Sequence, residues 1–152
     1  MKLFQIEEPE GGPSDPGAPG AAIGIDVTGG TASVAFAVGG NAVVLDDRAG
    51  FDLTLAVPST VAGIPGWREL FEGARLRAER ALARPATHAV VVLGAAPDAD
   101  FARHLTEAAG RAGIEILRFA GVADLSAANE PVLAAAILAE ELAPRPESAS
   151  FA

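Results

Sequence analysis

This chain has no cysteine, no tyrosine, one tryptophan, one methionine and a single lysine, Lys2. Without thiols, neither a disulfide framework nor a thiolate metal site can form. Long apolar runs are missing too. Half of the residues are hydrophobic, yet no segment approaches the roughly 20 apolar residues that a membrane-spanning helix needs. The first twenty residues lack the basic start and apolar stretch of a secretory signal, so a cytoplasmic location is expected. Positive charge is scarce: eleven Lys and Arg against twenty Asp and Glu leave a net charge of −9. Such a surface repels phosphate backbones and anionic lipid, and neither nucleic acid nor a membrane is an expected partner.

The 152 residues suit one domain with a real core. Residues 1–20 close with EEPEGGPSDPGAPG, which offers little to bury and is expected to be disordered, as is the tail 143–152. The folded part is expected over 21–142. AAIGIDV (21–27) and TASVAFAV (31–38) read as strands joined by a Thr28-Gly29-Gly30 turn. Gly39-Gly40 makes a tight hairpin into NAVVLD (41–46). DLTLAV (52–57) alternates and is a candidate edge strand.

The period then changes. From Pro65, the residues Trp67, Leu70, Phe71, Ala74, Ala78, Ala81 and Leu82 fall at helical spacing. Arg68, Glu69, Glu72, Arg75, Glu79 and Arg80 make the solvated face. HAVVVL (88–93) is continuously apolar, as a strand buried on both sides would be. A second helix is expected over 98–112, with Phe101, Leu105, Ala108, Ala109 and Ala112 inward, Asp98 and Asp100 at its positive end, and His104 on its outer face. Gly113 stops it and IEILR (114–118) forms the last strand. A third helix is expected over 130–142, capped by Asn129, with Pro131 in the first turn. The order β-β-β-α-β-α-β-α predicts an α/β fold, a mixed sheet of about five strands covered by helices.

That order is the one shared by actin, sugar kinases and the seventy-kilodalton heat-shock chaperones, all built on ribonuclease-H-like lobes. The wording of the chain is similar to the N-terminal lobe of the chaperone ATPase. GIDVTGGT (24–31) resembles its first phosphate loop and VPST (57–60) its TPSVV strand. THAVVVLGA (87–95), AAGRAGIEILR (108–118) and NEPVLAAA (129–136) resemble its THAVITVPA, AGRIAGLEVLR and NEPTAAALA segments, in the same order. The 87–118 match is the specific one.

The resemblance implies a site at Asp26, Thr28, Gly29, Gly30 and Thr31, with Asp26 holding the water shell of a magnesium ion and ATP as the ligand. The general chemistry is that glycine-turn amides cradle anions and hard cations want carboxylate and water oxygens. The other reading is that Gly29-Gly30 turns a hairpin and Asp26 satisfies that turn. Three departures from the family favour it. Thr28 stands at an expected glycine, with one residue inserted. The catalytic lysine has no counterpart in GWRELFEGARLRAER (66–80), where an arginine such as Arg75 is not equivalent. The second lobe, which supplies the other phosphate loop and the adenosine pocket, has no counterpart in these residues. An insertion, AGVADLSAA (120–128), separates the last strand from NEP.

The expectation is a non-enzymatic interaction or scaffold module on a degenerate lobe, with no catalytic residue and with ATP and magnesium as the one candidate cofactor. The rival is an ATP-binding protein whose site is completed by self-association or a partner lobe, through the face that would meet the second lobe. Nucleases share the lobe and would gather Asp26, Glu69 or Glu72, and Asp98 or Asp100 around two metals. Helical phase puts Glu69 and Glu72 on the solvated face, and the acidic balance opposes a nucleic-acid substrate.

Overall fold

The computed structural model describes residues 20–46, 54–125 and 129–144. In chain order the elements are β1 (Ala21–Asp26), β2 (Ser33–Val38), β3 (Asn41–Val44), α1 (Ile64–Leu82), β4 (Ala86–Leu93), α2 (Ala99–Arg111), β5 (Glu115–Gly121) and α3 (Pro131–Leu142). The sheet order is β3-β2-β1-β4-β5. β1 runs antiparallel to β2 and parallel to β4, and β4 runs parallel to β5. The C-terminal ends of β1, β4 and β5 therefore share one edge. This is the topology of a ribonuclease-H-like lobe. The expectations for residues 1–19 and 145–152 lie outside the described residues.

β4 holds the two layers together. Ala89, Val91 and Leu93 face α1 and α2, in a core shared with Ile23, Ile25, Trp67 and Phe71. Val90 and Val92 face α3, against Ala135 and Ala139. Each fully buried valine contributes roughly 1.5–3 kcal/mol, and an unbroken apolar run fits here, as in neighbouring β1, because both faces are covered. On the α3 side the packing is closer still. A Cβ placed on Gly24 would lie 2.6 Å from the Ala136 nitrogen and 2.8 Å from the Val132 carbonyl oxygen. The alanine-rich helix rests directly on that glycine.

Local signals explain the helix ends. Asp98 accepts a hydrogen bond from the Phe101 amide at 2.8 Å and caps α2. Gly113, at φ 88°, stops it, while Ile114 donates to the Ala109 carbonyl at 2.8 Å. Other expectations are corrected. The residue before α3 is Glu130 rather than Asn129, and its side chain makes no capping bond, since Pro131 has already set the first φ. Ala81 is exposed, because α1 there runs past the edge of the core. In the described part of 52–57, strand pairing reduces to one bridge, Ala56 to Thr31. His104 is half-buried, its Nε2 3.0 Å from the Ala62 carbonyl oxygen. The segment leading into α1 lies over α2, a contact that helical phase alone does not reveal. β5 continues to Gly121 and a 3₁₀ turn at Val122–Asp124, so part of the 120–128 insertion is regular structure.

Candidate functional site

β1 ends at Asp26, and the chain crosses to β2 through an exposed loop, Thr28 to Thr31. Oδ1 of Asp26 accepts the Thr28 amide at 2.8 Å and the Thr28 hydroxyl at 2.7 Å. An aspartate bonded two residues onward closes its own turn. Oδ2 has no hydrogen-bond partner among the described residues.

An anion nest needs consecutive amides aimed at one point, which an alternation of right- and left-handed residues provides. Neither Gly29 nor Gly30 has a positive φ. The loop is instead tied sideways to the segment before α1. Val57 donates to the Gly30 carbonyl at 3.0 Å, and Ala32 donates to the Leu55 carbonyl at 2.8 Å. Nothing crowds the two glycines: a Cβ on Gly29 would meet no atom nearer than 3.8 Å, and one on Gly30 none within 4 Å. Of the five residues expected at the site, the structure joins Asp26 to Thr28 and pairs Gly30 and Thr31 with the segment before α1, with Thr28 to Thr31 all exposed.

Beside that loop lies a cavity of about 540 Å³. It sits at the C-terminal edge of the parallel strands, where α/β sheets place their ligands. Thr28, Pro58, Trp67, Gly94, Asp98 and Phe101 are among its walls. Trp67 is 2% exposed and stacks edge-on against Phe101, with ring centroids 5.8 Å apart. Its indole nitrogen is buried with no hydrogen-bond partner. Sequence reasoning placed Trp67 in the core and missed that it also walls a cavity. The signal available was its position shortly after VPST, in the segment that faces the loop.

Among the described residues Asp98 is the one charged residue lining this cavity, and Val27 and Thr28, which follow Asp26 in the chain, line it too. Among the described residues no Lys or Arg lines it to face an incoming phosphate. Arg75, the nearest thing to a lysine replacement, is engaged elsewhere. Its Nε donates to the Ala112 carbonyl at 2.8 Å and its guanidinium pairs with Glu79 at 3.0 Å, which ties the middle of α1 to the C-terminal end of α2.

The carboxylates nominated for a two-metal centre do not converge. Asp98 caps α2, Asp100 pairs with Arg103, Glu72 pairs with Arg68 at 3.4 Å, and Glu69 is exposed. Among the described residues no three His, Asp or Glu are grouped to hold a metal ion. His88 Nδ1 lies 2.7 Å from the Thr87 hydroxyl oxygen and its Nε2 lies 3.7 Å from Glu115, at the strand end remote from the loop.

No family model and no curated protein matches this chain. Among solved structures it is similar to ethanolamine utilization protein EutJ from Carboxydothermus hydrogenoformans. The identity is 13%, over 68% of this chain and 37% of that one, with a TM-score of 0.46. The chain thus spans well under half the length of that structure.

Also among the described residues, no helix is long and apolar enough to cross a membrane.

Proposed function

We propose that this chain is a non-enzymatic interaction or scaffold module, cytoplasmic, built on a lobe that has left its ATPase chemistry behind. The observation that carries this reading is the Asp26–Thr28 pair. One carboxylate oxygen closes its own turn, the glycines beside it do not form a nest, and among the described residues no basic one lines the adjoining cavity. A phosphate entering there would meet two aspartates and no counter-charge, an arrangement that repels it.

The rim of that edge is the proposed contact surface. Val61 is 90% exposed and Val122 40%, and Gly94, Ala95 and Ala96 between them are exposed and uncharged. A neutral, partly apolar rim suits a protein partner better than a charged ligand.

A second reading is an ATP-binding protein whose site is completed by another lobe. Open space over Gly29 and Gly30 and the free Oδ2 of Asp26 favour it. Magnesium would be essential, held through Asp26, because no positive side chain lines the cavity among the described residues. Thermal melts of the wild type and of Asp26→Ala, with and without magnesium and ATP, separate the two. The first reading expects Asp26→Ala to melt lower whether or not nucleotide is present, with nucleotide moving neither protein. A nucleotide-induced rise in the wild type alone would favour the second.

A further inference from the structure

The sheet has two open edges, and they differ in charge. β5 exposes Glu115 and Arg118, charges of the kind that blunt an edge against pairing. β3 has no such guard. No charged residue occurs between Asp26 and Asp46, and β3 exposes Val43 (58%) and Val44 (37%), with Val38 (64%) on the neighbouring strand.

The backbone of that edge is equally open. Leu45 donates to the Val34 carbonyl at 2.8 Å. The alternation of an antiparallel ladder then turns Asn41 and Val43 toward β2 as well. The amides and carbonyls of Ala42 and Val44 face away from the sheet, without a partner among the described residues.

We infer that the β3 edge is a self-association surface whose occupant is a second copy of this chain. An antiparallel pairing about a two-fold axis at Val43 matches Ala42 of one copy with Val44 of the other, and the reverse. Every outward amide and carbonyl of those two residues then finds a partner. Val43 meets its own counterpart across a non-hydrogen-bonded position, where side chains approach most closely. The edge is self-complementary, as an isologous contact requires.

The strand pairing alone is a small contact. Four paired residues fall short of the ~800 Å² per partner of a stable interface. α3 extends the contact. Leu133 and Ile137 are half-buried and pack, with Ala42, against the cluster of Ala35, Ala37, Val132 and Ala136, and α3 touches β3, so the two residues are apolar surface available near the same edge. The two-fold axis brings this surface of both copies together beneath a sheet continuous across them. Charge selects the occupant: two chains of net charge −9 repel over most of their surfaces, and the uncharged β3 edge is where a like-charged copy is least opposed. Asp46, the nearest acid along the strand, falls opposite the glycine turn of the other copy in this register, where Glu140 is held, so acid opposes the contact only at its two ends.

This surface is distinct from the rim around Val61, so the two proposals fail separately. Sedimentation velocity of the full chain from low micromolar to near-millimolar concentration tests it, with Val43→Lys, Val44→Pro and Val61→Asp. The lysine puts like charges opposite each other, and the proline removes an outward amide that β2 does not use. Expected is a concentration-dependent dimer for the wild type and Val61→Asp, and monomers with unchanged circular dichroism for Val43→Lys and Val44→Pro. A wild type monomeric throughout, a dimer surviving both β3 substitutions, or a dimer lost only in Val61→Asp would overturn the inference.

Discussion

Glu140, near the end of α3, accepts a hydrogen bond from the Gly39 amide at 2.6 Å, and its second carboxylate oxygen takes the Gly40 amide at 2.9 Å. Gly39 and Gly40 are both left-handed, at φ 60° and 84°. Their two amides converge on one carboxylate, so this turn grips an anion supplied by the chain itself. The glycine pair expected to grip a phosphate, Gly29-Gly30, lacks that conformation. The two pairs stand at opposite ends of β2, one closing the fold and the other leaving it open.

Glu140→Ala should lower stability by about 1.5 kcal/mol, the lower end for charge-assisted bonds because the site is exposed. Glu140→Gln should cost less, since it keeps one acceptor. Urea unfolding, read by circular dichroism, gives both values. A Glu140→Ala midpoint equal to the wild type would mean that the turn needs no clamp.

Gly24 and Gly30 belong to one sequence motif and should respond oppositely to alanine. Gly24→Ala drives a methyl group into the α3 backbone, which cannot move without lifting from the sheet. A loss of about 3 kcal/mol is expected, at the upper end for overpacking. Gly30→Ala meets open space at a φ that alanine accepts, and should stay within about 0.5 kcal/mol of the wild type. Thermal melts of the pair decide it.

Trp67→Ala should cost about 3–5 kcal/mol as a large-to-small change at a buried ring. Trp67→Phe should cost far less, under about 1.5 kcal/mol, because it keeps most of the ring packing and removes a buried N–H that has no partner. Equal losses for the two would show that the indole nitrogen has a partner in solution.

Much of this fold was legible because the signals are local. Gly39-Gly40 fixes the hairpin, the 3.6-residue spacing from Trp67 to Ala78 fixes α1, and the unbroken run of β4 announces burial on both faces. What escaped was tertiary. The bond from His104 to Ala62 depends on a loop crossing α2. Glu79, placed by phase on the solvated face, also accepts the Ala86 amide at 3.1 Å as the chain turns into β4. At the candidate site, the sequence identified the loop but could not say which way its amides point. It also could not say that Gly24, the first glycine of the motif, serves α3 packing.

The central claim is that the loop after Asp26 no longer serves nucleotide. Calorimetric titration of the full chain with ATP and magnesium, at protein concentrations spanning any self-association, tests it most directly. The account predicts no binding heat up to millimolar ATP at any protein concentration. Micromolar binding that strengthens as the protein associates, and that disappears in Asp26→Ala, would contradict it.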